Sequence, residues 1–163
     1  MGDATGKGVS AALVMASARS MLHAVAQASD YSPAKVLRMT NDPLVTDIPP
    51  NMFVTCLYAI LDPESGSLRY ANAGHDLPYL RRRSGTAEEL RARGMPLGPM
   101  AGMDYEEKET IVEAEEAAPF YGDGLVEAHD PKGEMFGFPR LQALIAEHGG
   151  ERSLVDIVLK ELY

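Results

Sequence analysis

Residues 52–80, MFVTCLYAILDPESGSLRYANAGHDLPYL, decide the fold. Three short runs rich in β-branched, aromatic and aliphatic residues are separated by two turn-forming sequences, Asp62-Pro63-Glu64-Ser65-Gly66 and Gly74-His75. Strands this short, joined by turns this tight, pair with their neighbours in antiparallel order. We therefore predict an antiparallel meander. Its strands are Met52 to Leu61, Leu68 to Ala73 and Leu77 to Leu80.

Helical patterns flank these strands on both sides. Val9 to Ala28 contains no Gly or Pro and is rich in Ala and Met, so we expect a buried helix. A second helix begins at Ser32-Pro33, with Ser32 as its N-cap, and ends before Pro49-Pro50. Two further helices cover about Phe138 to His148 and the residues from the N-cap Ser153 to the last residue.

Two more strands are expected between the meander and the closing helices. Asp104 to Val112 alternates acidic and less polar residues, and Ala117 to Tyr121 leads into Gly122-Asp123-Gly124. Helices, then consecutive strands, then helices are typical of an α+β fold and not of alternating βαβ units. With no internal repeat or low-complexity linker, residues 1–163 are interpreted as one domain.

Composition narrows the classes of function. The net charge of −9 disfavours nucleic-acid binding, and the one basic run, Arg81-Arg82-Arg83, is interpreted as a solvated hairpin turn in preference to a phosphate-binding patch. The single cysteine, Cys56, lies in an apolar run and is interpreted as a core residue of a protein from a reducing compartment. No apolar stretch is expected to approach the roughly 20 residues that cross a bilayer, so we predict a cytoplasmic protein without a membrane segment.

Residues 2–8, GDATGKG, form the first candidate site and are predicted to be a glycine-rich turn. A nucleotide-binding P-loop is excluded, because Gly2 and Gly6 are one residue too close and Gly8 stands where Ser or Thr is required. What remains is Asp3 on a tight turn near a helix N-terminus, either as a functional carboxylate or as the helix cap.

Asp123 is the second candidate. It lies between two glycines after a predicted strand, which puts its carboxylate at a sheet edge where the backbone can approach a ligand, although Asp-Gly is also a common turn. Two such carboxylates suggest a hard divalent cation, since Mg²⁺ and Mn²⁺ prefer oxygen ligands.

Several segments together resemble the SpoIIE/RsbU-type serine/threonine phosphatases, which are metal-dependent enzymes of the PPM class. The first element is similar to the G-D-x-[ST]-G-K-G-x-x-A-A pattern of that family, and the others follow in the family's order along essentially the whole chain. The matching segments are Gly2 to Ala12, Met52-Phe53-Val54-Thr55, Leu68 to His75 with Pro78, Pro96-Leu97-Gly98, Asp123 to Ala128, Phe136-Gly137 and Arg140-Leu141.

The resemblance implies an antiparallel β-sandwich flanked by helices (αββα), with two Mn²⁺ or Mg²⁺ ions at one end. It implies that Asp3 bridges both ions, that the Ala4 carbonyl helps to hold one, and that Asp123 holds the other, so that Asp3 and Asp123 are the catalytic residues. A metal-activated water would then hydrolyse phosphoserine or phosphothreonine on a protein of the anti-sigma-factor antagonist type. The residues expected to line the site are Gly2, Gly6, Asn72, His75 and Gly124.

Asn72 and His75 are equally consistent with a hydrogen-bonded turn pair. The sequence also departs from the family pattern. Residues 1–163 contain neither the G-G-D-[FWY]-x-D segment nor the D-D-x-T segment in which the family carries further aspartates, so elements are expected to be missing at both ends, and a sensor domain is a possible fusion partner. Glu115-Glu116 replace a Gly-Asp turn, and Pro119 and Gly122 alter the strand before Asp123. The alternative is a degenerate phosphatase-like module that binds a signalling partner without catalysis.

Overall fold

The computed structural model describes residues 1–28, 32–130, 132–151 and 153–162. In chain order the elements are β1 (Gly2–Ala4), α1 (Val9–Ala28), α2 (Pro33–Asp47), β2 (Val54–Leu61), β3 (Ser67–Ala73), β4 (Tyr79–Arg81), β5 (Ala87–Glu89), β6 (Glu107–Ile111), α3 (Asp123–Val126), α4 (Gly137–His148) and α5 (Leu154–Leu162). They form two compact units, Met1–His75 with Arg91–Ile111 and Asp76–Leu90 with Val112–Tyr163. Antiparallel strands combined with helices confirm the predicted α+β class.

The first unit contains a four-stranded antiparallel sheet in the order β1-β2-β3-β6. Strand β2 lies within the first predicted run, and β3 begins one residue before the second and ends with it. The predicted turn joins them, and there the Gly66 N–H donates to the Asp62 carbonyl at 2.9 Å. The third run was wrongly placed in the same meander, because β4 pairs with β5 in a separate sheet. Gly74, at φ 70°, follows the last residue of β3. Strand β6 pairs with β3 and forms one edge of the sheet.

Strand β1 corrects the prediction of a glycine-rich turn at residues 2–8. Gly2 lies so close to β2 that a Cβ there would be 2.6 Å from the backbone oxygen of Thr55, a distance only glycine allows. The Leu57 N–H donates to the Met1 carbonyl at 2.8 Å, and the Thr5 N–H donates to the Phe53 carbonyl at 2.9 Å. These bonds extend antiparallel pairing on both sides of a three-residue strand.

Helices α1 and α2 pack on one face of this sheet. Their core with the sheet consists of Ala4, Val14, Ala18, Leu37, Leu44, Ile48, Val54, Cys56, Ala71, Ala73, Leu97 and Tyr105. Helix α1 has the predicted bounds, but the expectation that it is buried is wrong: only Val14 and Ala18 are buried, whereas Leu13 is 64% exposed. Small apolar side chains occur on every face of the helix. The composition therefore does not show which face packs against the rest of the protein.

The prediction that no apolar stretch approaches the length of a membrane span is wrong for α1. Its 20 residues satisfy that criterion by length and composition alone, a property shared by helices of soluble proteins and by signal sequences. In the first unit α1 packs against α2 and β1.

The start of α2 shows how a distant residue replaces a local cap. Ser32 occupies the predicted N-cap position but makes no side-chain hydrogen bond to the helix. Instead the Ala34 N–H donates to the Glu107 carboxylate at 3.1 Å. A carboxylate near the positive end of a helix is favourable, so β6 and α2 stabilise each other here.

The second unit is built around the two-stranded sheet β4-β5 and the helices α3, α4 and α5. Tyr79 and Tyr121 stack with ring centroids 6.0 Å apart, and the Tyr121 hydroxyl donates to the Leu77 carbonyl at 2.7 Å. The rest of the core consists of Val126, Phe136, Leu141, Ile145 and Val158. The predicted closing helices are confirmed within the described residues, and Tyr163 lies outside them.

The predicted strand at Ala117 to Tyr121 is wrong. Only Ala117 forms a bridge, with Arg81, because Pro119 has no N–H to continue the pairing. The turn before Ala117 contains a residue with an unusual backbone conformation. Glu115 takes φ 69°, a conformation in which glycine is unstrained, and this is the turn where the family pattern has Gly-Asp.

Glu116, next to it, has a side chain that is only 5% exposed. Burial alone would raise the pKa of Glu116, but hydrogen bonds from the Glu113 N–H and from Arg82 outweigh burial and lower the pKa.

Candidate functional site

Asp3 lies at the centre of β1, directly opposite Thr55 of β2. Residues paired in this way have side chains on the same face of the sheet, and successive residues alternate faces. Ala4 is 5% exposed and belongs to the core with α1 and α2, so Asp3 and Thr55 lie on the opposite face. Asp3 is not the cap of a helix, since α1 begins six residues later, and its side chain is exposed.

The Ala4 carbonyl faces away from β2. Antiparallel pairs alternate, and the hydrogen bonds to β2 are made by Met1 and Thr5, the odd-numbered positions of this segment. The N–H and C=O groups of Ala4 therefore point to the other side of β1, which is an edge of the four-stranded sheet. An exposed carboxylate and a carbonyl at this edge are both oxygen donors.

The loop after β1 is held by Thr5. Its hydroxyl donates to the Phe53 carbonyl at 2.9 Å and accepts the Phe53 N–H at 2.8 Å. Gly6 at φ 91° and Gly8 at φ 84° then turn the chain into α1 in conformations that other residues rarely adopt. Gly6 and Gly8 thus form the turn, and Thr5 fixes where it starts.

Asn72 and His75 form the hydrogen-bonded turn that was one of the two interpretations. The His75 N–H donates to the Asn72 Oδ1 at 2.7 Å, and the Asn72 Nδ2 donates to the His75 carbonyl at 2.8 Å. Both residues are buried. In addition, the His75 Nδ1 lies 2.9 Å from the Thr55 hydroxyl, which connects the turn to the strand opposite Asp3.

Asp123 belongs to the second unit and is the first residue of α3, not the end of a strand as predicted. Its Oδ1 accepts the Gly124 N–H at 2.7 Å, and its carbonyl accepts the Glu127 N–H at 2.8 Å. The extended conformation of Gly122 and the absence of side chains on both neighbours leave the carboxylate exposed. Asp3 and Asp123 are thus exposed carboxylates in different units.

The donor chemistry of these residues fits Mg²⁺ or Mn²⁺. Both ions prefer oxygen ligands, and Mg²⁺ keeps several waters, so one or two carboxylates and a carbonyl are a usual protein contribution. Among the residues that the structure describes, no group of three or more His, Cys, Asp or Glu side chains is assembled. Asp3 and Ala4 in the first unit and Asp123 in the second each offer oxygen donors of the kind that these ions prefer.

The structure also tests the interpretation of the basic run. The Arg81-Arg82-Arg83 run is a salt-bridged hairpin turn, with Arg82 bound to Glu88 and Glu116 and Arg83 bound to Glu115, which confirms the turn interpretation.

Cys56 is 6% exposed, and burial raises the pKa of its thiol to about 11, as expected for a core residue and not for a nucleophile.

Thr55 lies opposite Asp3 and was not among the site residues predicted from the sequence. It is the last residue of the matching segment Met52-Phe53-Val54-Thr55. Its hydroxyl contacts Asp3, which is 52 positions away in the sequence, and His75, which is 20 positions away. A threonine in a strand is ordinary by composition. The available signal was its place on an alternation that puts Val54 and Cys56 in the core and Thr55 on the other face.

Comparison with known proteins places these observations in a family. The family described as stage II sporulation protein E (SpoIIE) matches residues 1–163. The phosphoserine phosphatase RsbU of Bacillus subtilis is 29% identical over 147 residues, covering 90% of this chain and 43% of that protein. The chain spans less than half the length of the curated relatives that we compared with it.

Solved structures agree. The RsbU and RsbW domains of Rv1364c from Mycobacterium tuberculosis superpose with a TM-score of 0.79 at 28% identity, over 99% of this chain and 45% of that one. The SiaA-PP2C domain of Pseudomonas aeruginosa gives a TM-score of 0.82 at 19% identity, over 99% of this chain and 64% of that one, which supports the fold alone. On the match over its full length, the chain belongs to the SpoIIE family.

Proposed function

We propose that this chain carries the activity of a metal-dependent serine/threonine protein phosphatase. The observation that carries the proposal is the family match over residues 1–163, which includes both candidate carboxylates. The geometry of β1 supports it, because an exposed carboxylate and an outward-facing carbonyl lie side by side at a sheet edge.

In this proposal Asp3, the Ala4 carbonyl and Asp123 hold Mn²⁺ or Mg²⁺. Bound divalent ions supply Lewis acidity, which activates water and neutralises charge on phosphoryl oxygens. The chain's own contribution is to position oxygen ligands and to leave space beside them. Gly6 and Gly124 have open space where a side chain would stand.

No covalent nucleophile of the protein is needed. The Cys56 thiol is buried on the face of the sheet opposite Asp3, and its raised pKa keeps it protonated near neutral pH. Asn72 and His75 order the end of β3 on the Asp3 side, where Asn72 is held between two backbone groups.

The proposed substrate is phosphoserine or phosphothreonine on a protein of the anti-sigma-factor antagonist type. The support is the similarity to RsbU and to a Mycobacterium tuberculosis chain that contains both RsbU and RsbW domains. A cytoplasmic location is part of the proposal, and the single buried cysteine is consistent with it.

The test is hydrolysis of a phosphoserine peptide as a function of Mn²⁺ concentration. It is run on residues 1–163 and on the same chain extended by the two family segments that carry further aspartates. We expect the hydrolysis rate to depend strictly on Mn²⁺ and to be abolished by a chelator. Asp3→Asn should lower the rate by at least about 100-fold, because losing a metal ligand costs more than losing a residue that hydrogen-bonds to a ligand.

Asp47→Asn is the matched control, since Asp47 is an exposed carboxylate at the end of α2. It should retain the wild-type rate. A non-catalytic partner-binding module would give no Mn²⁺-dependent rate in either form of the chain, and that result would overturn the proposal.

A further inference from the structure

Thr55 connects the strand that carries Asp3 to a buried histidine. The Thr55 hydroxyl lies 3.4 Å from the Asp3 backbone carbonyl and 2.9 Å from the His75 Nδ1. Thr55 and Asp3 are direct partners in the β1-β2 register, so the contact joins two residues on the same face of the sheet. These contacts lie entirely within the first unit.

The two contacts together determine the direction of the hydrogen bonds. A hydroxyl has one proton, and a backbone carbonyl can only accept. Thr55 can therefore donate to the Asp3 carbonyl only if its oxygen accepts a proton from the His75 Nδ1. Both contacts are satisfied when His75 carries its proton on Nδ1, because the hydrogen bond of one ring nitrogen selects the tautomer.

The far end of this chain of contacts is buried and hydrogen-bonded. His75 is 8% exposed, and its backbone is fixed on both sides by the Asn72 amide at 2.7 and 2.8 Å. Asn72 is 2% exposed and lies in β3, which pairs with β2 over six residue pairs. His75 thus follows a strand that pairs with β2 over six residue pairs, whereas β1 has only three residues.

We propose that Thr55, supported by the Nδ1–H tautomer of His75, is a positioning residue for Asp3. Backbone pairing places Asp3 in register with Thr55, and the Thr55 hydroxyl adds a side-chain contact to the Asp3 carbonyl, which further limits movement of the main chain that carries the carboxylate. The inference rests on the proposed function, since it concerns the orientation of Asp3 toward a divalent ion. Groups that orient metal ligands commonly change metal affinity by 10- to 100-fold when they are removed.

The test combines Mn²⁺ affinity, measured by calorimetry, with the tautomer of His75, measured from its ring ¹⁵N chemical shifts. Thr55→Val removes the hydroxyl at constant shape, and we expect Mn²⁺ affinity to fall about 10-fold, the lower end of the range because the contact with Asp3 is long. Thr55→Ser keeps the hydroxyl and should stay within about 3-fold of wild type. Thr110→Val makes the same chemical change on β6 and is the matched control.

The ¹⁵N spectra test the hydrogen bond between Thr55 and His75 without an activity assay. We expect a protonated Nδ1 in the wild type and in Thr55→Ser, and loss of that signature in Thr55→Val. A wild-type protein protonated at Nε2 alone, or wild-type Mn²⁺ affinity in Thr55→Val, would overturn the positioning role while leaving the phosphatase proposal intact. Failure of the wild type itself to bind Mn²⁺ would overturn the phosphatase proposal and the positioning role together.

Discussion

Replacing Asn72 with leucine tests the turn that ends β3. The Asn72 amide is 2% exposed and bonds to both the N–H and the carbonyl of His75. Leucine has a similar size but cannot hydrogen-bond, so two buried backbone groups lose their partners. Each unsatisfied group costs about 1–3 kcal/mol, or about 4 for the pair, and the extra apolar burial returns about 1–2.

The net expectation is that Asn72→Leu lowers the free energy of unfolding by about 2–3 kcal/mol. In a chain of this length that corresponds to a fall in Tm of about 5–10 °C, measured by circular dichroism. Asn51→Leu is the matched control at an exposed position and should change stability by less than about 0.5 kcal/mol.

A second variant separates hydrogen bonding from packing. Asn72→Asp keeps the acceptor for the His75 N–H, and once protonated it also regains a donor for the His75 carbonyl. Burial raises the pKa of such a carboxyl, so the deficit of Asn72→Asp relative to wild type should shrink as pH falls from 7 to 5. The deficit of Asn72→Leu should not change. A loss below about 0.5 kcal/mol in Asn72→Leu would refute the reasoning.

Three further predictions concern other parts of the chain. Gly2→Ala places a Cβ 2.6 Å from a backbone oxygen of β2 and should destabilise the protein by about 1–3 kcal/mol in urea unfolding, whereas Gly122→Ala, with open space around it, should change little. The hydrogen bond to Glu151 raises the pKa of His148, so the pair stabilises the fold fully below the unfolded histidine pKa of about 6.5. This contribution is lost as pH rises through the higher pKa of the folded state. A Tm difference between wild type and His148→Gln that grows above pH 7 would contradict this. Because burial raises the Cys56 pKa to about 11, Ellman's reagent at pH 8 should react slowly with the folded protein and rapidly in urea; equal rates would disprove burial of the thiol.

The sequence predicted those elements whose signals are local. The bounds of α1 follow from a run without Gly or Pro. Strands β2 and β3 follow from apolar runs on either side of the turn that begins at Asp62-Pro63, and Gly74 ends the second run. These signals depend only on neighbours in the chain, so they survive without knowledge of the tertiary structure.

The failures share a dependence on distant partners. β1 exists because Gly2 lies against β2, more than 50 residues away. The N–H cap of α2 is supplied by Glu107, not by Ser32. None of these choices is visible in a local pattern.

The candidate site shows the same division. The glycine-flanked Asp3 and Asp123 could be selected from sequence, and the resemblance assigned roles to them. Their settings, an edge strand for Asp3 and a helix start for Asp123, required the structure. Thr55 was not selected, because its importance comes from facing Asp3 and His75 and not from its own neighbours.

In the proposed function Asp3 and Asp123 hold the same pair of ions, and a double-mutant cycle in Mn²⁺ affinity tests that proposal most directly. Calorimetry would compare wild type, Asp3→Asn, Asp123→Asn and the double variant, with Asp47→Asn as control. Ligands of one shared site are not independent, so we expect each single variant to lose nearly as much affinity as the double variant. Additive losses, or Mn²⁺ affinity unchanged by either substitution, would contradict a shared site.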